Sequence, residues 1–205
     1  MTLNADPLNL VVCGTGGQGN ILISRMIGRI LSRKGYYLAI GETFGAAQRG
    51  GAVHSSMRIS TKRTYGPLIP QGRAHVVLSL EPLETLRILS LYGNEHVLTV
   101  SNTEPVHPVG VRAGRARYPD IEELKEIISG LSETAWFLNA SEAAERLGAP
   151  IVSNIILFGG LLGINRMPLT VEEVEREIET TFPGSKVDLN LNALHRGIES
   201  VQMSA

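Results

Sequence analysis

An unbroken apolar run from about Asn9 to Cys13 has the length of a buried strand and is too short for a helix. The glycine turn Gly14–Thr15–Gly16–Gly17–Gln18–Gly19 follows it. From Asn20 to Arg33, Ile23, Met26, Ile27, Ile30 and Leu31 recur at helical spacing, and Gly35 supplies a C-terminal cap. Tyr36–Ile40 reads as a second strand, which makes a βαβ unit whose right-handed crossover sets the two strands parallel. Past a polar, glycine-rich segment from Glu42 to Gly51, Val53, Ser55, Met57 and Ile59 alternate with His54, Ser56 and Arg58, the mark of a half-buried strand. A central strand is predicted over His75–Leu80, and a helix opens at Pro82, since proline is tolerated in a first helical turn.

The second half continues with a short strand at Val97–Val100 and an irregular stretch from Asn102 to Tyr118, rich in proline and glycine, expected to cross an edge of the sheet. A helix (Ile121–Ile128), a strand (Trp136–Asn139) and a helix (Ser141–Leu147) come next. Three helical segments close the chain: Ile151–Ile164, Val171–Thr181 and Leu191 to about Val201. The pattern predicts one α/β domain over residues 1–205, a Rossmann-like, mostly parallel sheet with helices on both faces and a helical C-terminal portion.

Composition narrows the function classes. A hydrophobic content of 43% suits a globular core, and the formal net charge of -1 favours neither nucleic acid nor an anionic membrane surface as partner. Cys13 is the only cysteine, so one chain can form no internal disulfide and no four-thiolate iron–sulfur site. Within its apolar run it reads as a small buried hydrophobe. Residues 1–7 lack a signal peptide's basic start and apolar core, and the apolar stretch 151–164 falls short of the roughly 20 residues of a membrane span. The expectation is a cytoplasmic protein.

Gly14-x-Gly16-x-x-Gly19 between a strand and a helix fits a dinucleotide fingerprint, with Glu42 roughly where an acid would meet a ribose hydroxyl. Gly14, Gly16, Gly17, Gln18 and Gly19 are thus candidate cofactor-binding residues. Close strand–helix packing with no ligand explains the same glycines. ATP-dependent activating enzymes also begin with such a turn, but paired Cys-x-x-Cys zinc ligands are absent. No Ser–His–Asp or metal constellation can be assembled, so no catalytic residue and no metal site are assigned.

Several segments taken together resemble the small subunit of indolepyruvate:ferredoxin oxidoreductase, the same domain as the gamma subunit of other 2-oxoacid:ferredoxin oxidoreductases. They are the glycine turn; Glu42–Thr43–Phe44–Gly45–Ala46–Ala47–Gln48–Arg49–Gly50–Gly51; the strand ending Met57–Arg58–Ile59; Pro67–Leu68–Ile69–Pro70; Glu81–Pro82–Leu83–Glu84; and Ser153–Asn154. Asn190–Ala193 with Gly197 matches more weakly, and beyond about Thr103 the likeness loosens. The resemblance implies oxidative decarboxylation of a 2-oxoacid with coenzyme A as substrate and ferredoxin as electron acceptor. It places thiamine diphosphate, magnesium and [4Fe-4S] clusters in a larger partner subunit and none in this chain. The residues agree, for no Gly-Asp-Gly segment followed by asparagines is present to hold a thiamine cofactor. On this reading Glu42, Thr43, Phe44, Gln48, Arg49, Gly50, Gly51 and His54 face the partner or its substrate channel. The Arg49 fork suits a carboxylate or phosphate and equally a loop-bracing pair with Glu42. His54 fits a partner-facing role or plain solvation, and Glu81 and Glu84 complement the helix dipole. A free NAD(P)-dependent oxidoreductase and a module carrying an acyl-CoA at the glycine turn are the rivals.

Overall fold

The computed structural model describes residues 3–44 and 51–203. Six strands form one sheet: β1 (Leu8–Thr15), β2 (Tyr37–Phe44), β3 (Ala52–Ser60), β4 (Val76–Ser79), β5 (Leu98–Asn102) and β6 (Thr134–Leu138). Their spatial order is β2-β3-β1-β4-β5-β6. β1, β4, β5 and β6 pair in parallel, whereas β3 runs antiparallel to both β1 and β2. The sheet is mostly parallel, as expected. One detail of the βαβ reading is corrected: β1 and β2 do point the same way, but β3 is inserted between them. The connection from β2 to β3 is short enough for a hairpin-like return, so β3 takes the slot beside β1 and leaves β2 as an edge strand.

Helices cover both faces. α1 (Asn20–Arg33), α5 (Ala140–Arg146), α6 (Ser153–Gly163), α7 (Val171–Thr181) and α8 (Gly184–Gln202) enclose the larger core with Leu10, Val12, Met57, Leu78 and Val100. α2 (Pro82–Tyr92) and α4 (Ile121–Gly130) close the smaller core over Val11, Cys13 and Val77. The two sets alternate along β1 and β4, as the two-residue period of a strand requires. Burial of Cys13 to 1% exposure pushes its thiol up to about 12, so it behaves as core.

α6 is apolar nearly all round, and it is buried along almost its whole length between the sheet and α8. The approach of the two helices is set by glycine. A Cβ at Gly159 would lie 2.0 Å from the Leu194 carbonyl oxygen, and one at Gly197 would lie 1.8 Å from that of Ile156. α8 begins seven residues before the predicted Leu191, because its first two turns are mostly polar and carry no apolar stripe to reveal them; Pro183 and Gly184 mark the start. The irregular stretch 103–118 holds only a short α3 (Val109–Arg112) and is tied to the strand ends where the Thr103 N–H donates to the Leu138 carbonyl of β6 and the Val106 N–H to Glu81 just past β4. No helix among the described residues is long and apolar enough to cross a membrane.

Candidate functional site

The carboxyl ends of the parallel strands are where ligands gather in α/β sheets, and the glycine turn after β1 lies there. α1 is capped by Gly19 in the left-handed region (φ 95°), with no side-chain cap and no acid in its first turn. Among the described residues no side chain satisfies the free N–H groups of this helix end. Packing also disfavours a side chain at Gly19, since its Cβ would sit 2.2 Å from Asn154 Nδ2 at the start of α6 and the amide would have to move. Thr15, Gly16, Gly17, Asn20, Ile21 and Val53 line a cleft of about 260 Å³ beside the turn. Asn20 is buried; its Nδ2 donates to the Val53 carbonyl at 3.2 Å, while its Oδ1 has no partner among the described residues.

Much of the turn is committed to the chain itself. The Gln18 side chain folds back, accepting the Thr15 N–H at 2.7 Å and donating to the Leu80 carbonyl at 2.9 Å. Its Oε1 lies 2.7 Å from where a Cβ of Gly14 would stand, so the space beside the first glycine is already filled. The Gly16 N–H donates to the Gly51 carbonyl at 2.9 Å. That bond ties the end of the distinctive segment to the turn. The dinucleotide reading loses ground on a second count. Glu42 lies within β2, opposite Ser55, and not just past the strand's end. With β3 between β2 and β1, Glu42 sits one strand spacing farther from the turn than the fingerprint requires, about 4.8 Å.

Of the other predicted residues, Thr43 stands opposite His54, and Phe44 opposite Val53, in the β2–β3 ladder. Gln48, Arg49 and Gly50 lie outside the described residues. His54 is half-buried, 6.0 Å between ring centroids from Tyr92, and burial lowers its pKa, so it is less solvated than its polar strand face suggests. Among the described residues no three His, Cys, Asp or Glu side chains form a metal-binding group.

Sequence reasoning missed a cluster at the next strand end. Glu81, 1% exposed, does cap α2, its Oε2 accepting the Glu84 N–H at 2.8 Å. Its Oε1 also accepts the Val106 N–H at 3.3 Å and a hydrogen bond from the Tyr118 hydroxyl. Burial raises the Tyr118 pKa, and the hydrogen bond and charge of Glu81 raise it further, so the phenol stays a donor. Burial raises Glu84 too, the Arg87 ion pair opposing and Glu81 adding. Asn102, at the end of β5, donates to the Leu80 carbonyl at 3.3 Å and accepts the Ala140 N–H at 3.1 Å. The one available signal was position: Glu81 and Asn102 are polar residues directly at the ends of buried parallel strands.

A mostly parallel sheet with one inserted antiparallel strand and a partly self-filled glycine turn defines a variant α/β domain distinct from a dinucleotide-binding one. The pyruvate ferredoxin/flavodoxin oxidoreductase family model matches residues 9–200, and the chain belongs to that family. It is 40% identical over 190 residues to an indolepyruvate oxidoreductase subunit IorB from Archaeoglobus fulgidus, covering 93% of each chain. A subunit of the same name from Pyrococcus horikoshii is 33% identical over 195 residues, covering 95% of this chain and 96% of that one. Like these relatives, the chain is a small oxidoreductase subunit. Among solved structures, a keto/oxoacid ferredoxin oxidoreductase gamma subunit from Geobacter sulfurreducens shares the fold at a TM-score of 0.68 and 21% identity, covering 97% of this chain and 99% of that one. A 2-oxoglutarate:ferredoxin oxidoreductase chain from Magnetococcus marinus shares it at a TM-score of 0.74 and 17% identity; 98% of this chain matches 32% of that one.

Proposed function

We propose that this chain is the small, cofactor-free subunit of a 2-oxoacid:ferredoxin oxidoreductase acting on aryl-pyruvates such as indolepyruvate. In this reading residues 1–205 form a single gamma-type domain that works in the cytoplasm. A larger partner holds thiamine diphosphate, magnesium and [4Fe-4S] clusters, decarboxylates the 2-oxoacid to an acyl-CoA, and passes electrons to ferredoxin. The observation that carries the proposal is the 40% identity, over 93% of each chain, to the Archaeoglobus fulgidus indolepyruvate oxidoreductase subunit. The match of this chain to about a third of the Magnetococcus marinus polypeptide supports it, since the remainder of such a catalyst then belongs to another chain.

The segment from Glu42 to Gly51, with His54, is the proposed partner or substrate-channel face. The Gly16–Gly51 bond joins its end to the glycine turn, which would present α1's open N-terminus to an anionic group such as coenzyme A carries. The chain's own part is to bind and orient, and the cofactor supplies the hard chemistry. Anaerobic purification of the tagged chain from its native cells tests this. The expected result is a co-purifying larger chain with thiamine diphosphate and iron–sulfur absorbance. A stable monomer that oxidises a 2-oxoacid unaided would defeat it.

A further inference from the structure

We infer that the loop from Val106 to Tyr118 is a preformed cationic docking element for a carboxylate-rich surface of the larger subunit. The inference rests on the subunit role proposed above, and its first support is charge. From Pro105 to Pro119 the chain has three arginines, Arg112, Arg115 and Arg117, and no acidic residue. The rest of the chain has sixteen basic residues against twenty acidic ones, so the segment opposes the prevailing sign. All three arginines are exposed, and none has an ion pair or hydrogen bond from its side chain among the described residues. Arg29, Arg33, Arg87 and Arg146 meet glutamates, while Arg25, Arg73 and Arg166 stand singly without an ion pair among the described residues; only in this loop do three such arginines fall within six residues.

Order is the second support. Both feet of the loop attach to one buried atom, Glu81 Oε1, which accepts the Val106 N–H and the Tyr118 hydroxyl. His107 packs edge-on against the Tyr118 ring at 5.3 Å. The Gly110 carbonyl accepts the Arg115 and Ala116 N–H groups at 2.8 and 3.1 Å, closing the tip on itself. This is the build of an Ω-loop. Val109, 70% exposed, adds an apolar contact beside the arginines. A loop held in shape before binding loses little entropy on docking, and unpaired guanidiniums need no prior partner broken. The occupant that satisfies both is a patch of aspartate and glutamate; a basic or neutral patch would leave three forks unmet. Tyr118 is a positioning residue in this arrangement.

The test is the dissociation constant of this chain from its co-expressed larger subunit, at about 50 and about 300 mM salt. Wild type should assemble, more weakly at high salt. Replacing all three (Arg112→Gln, Arg115→Gln, Arg117→Gln) should weaken low-salt assembly about tenfold or more and remove most of the salt dependence. Lysine at the same three positions should keep the salt dependence, which separates lost charge from lost fold. Tyr118→Phe should weaken assembly a few-fold with the salt dependence retained. Glutamine variants that assemble as tightly and as salt-sensitively as wild type would overturn the inference while leaving the subunit role standing. So would a triple variant that assembles normally but needs more acceptor protein for half-maximal rate, since the loop would then serve the acceptor. Failure of the unsubstituted chain to find any larger partner overturns the subunit role itself, and the inference with it.

Discussion

Two glutamates, Glu81 and Glu177, are each 1% exposed, and the chain accommodates them in opposite ways. Glu177 on α7 meets two cations of α1, Arg29 and Arg33, whose side chains stay about half exposed. Burial alone would raise the Glu177 pKa, but the hydrogen bonds and charges of Arg33 and Arg29 outweigh it and hold the carboxyl below its ordinary range. Glu81 has no cation of its own among the described residues. Its oxygens are filled by two backbone N–H groups and a phenol. The ion-paired site fastens α7 to α1. The site with neutral donors fastens a loop at the strand ends, where separate hydrogen bonds set the shape of a surface. One buried carboxylate joins two helices, and the other joins a helix start to a surface loop.

The largest expected effect comes from breaking the first site. Glu177→Ala should destabilise the chain by roughly 3 kcal/mol in denaturant unfolding, because two charge-assisted hydrogen bonds from α1 are lost and a cavity opens where the buried carboxylate stood. A change below about 0.5 kcal/mol would mean that the α1–α7 contact does not depend on this ion pair. Glu81→Gln should cost less, roughly 2 kcal/mol, since the amide nitrogen replaces an acceptor where only donors converge. Its signature is local: amide hydrogen exchange should rise across residues 103–118 more than in the core strands. Uniform loosening of the whole chain would merge the two sites into one kind and undo the comparison.

The smallest effect is the pH dependence. Glu177 has a depressed folded-state pKa, so its stabilisation is fully present above the unfolded carboxylate value, about 4.3, and is lost as pH falls through the folded value. Glu84 has a raised folded-state pKa, so on acidification it takes up its proton earlier in the folded chain and gains stability. Stability measured from pH 6 to about 3 should therefore fall less steeply in Glu177→Gln than in wild type. Parallel curves would show that Glu177 titrates as it does in the unfolded chain.

The glycine turn and its following helix were legible because their signal is local: an apolar run, three spaced glycines, then a helical stripe. Other features depend on residues far apart in sequence. Nothing in Tyr36–Ile40 reveals that β3 slips between it and β1, since that placement is decided by pairing Leu10 with Met57 and Ile40 with Met57 across a return. Glu81 read as a dipole-complementing acid because its near neighbours explain it, and Tyr118 enters only through the folded chain. The polar start of α8 hid for the opposite reason, having no apolar stripe. Candidate site residues in Glu42–Gly51 were found by likeness to a family, and Gln48, Arg49 and Gly50 lie outside the described residues.

The central claim, that this chain completes another chain's site and has no redox chemistry alone, is tested most directly by reconstitution. Indolepyruvate-dependent, coenzyme A-dependent reduction of ferredoxin would be assayed anaerobically for this chain, for the larger subunit, and for their mixture. The account predicts activity only in the mixture, saturating at a fixed ratio of the two chains. Full activity in the larger subunit alone, or any in this chain alone, would contradict it.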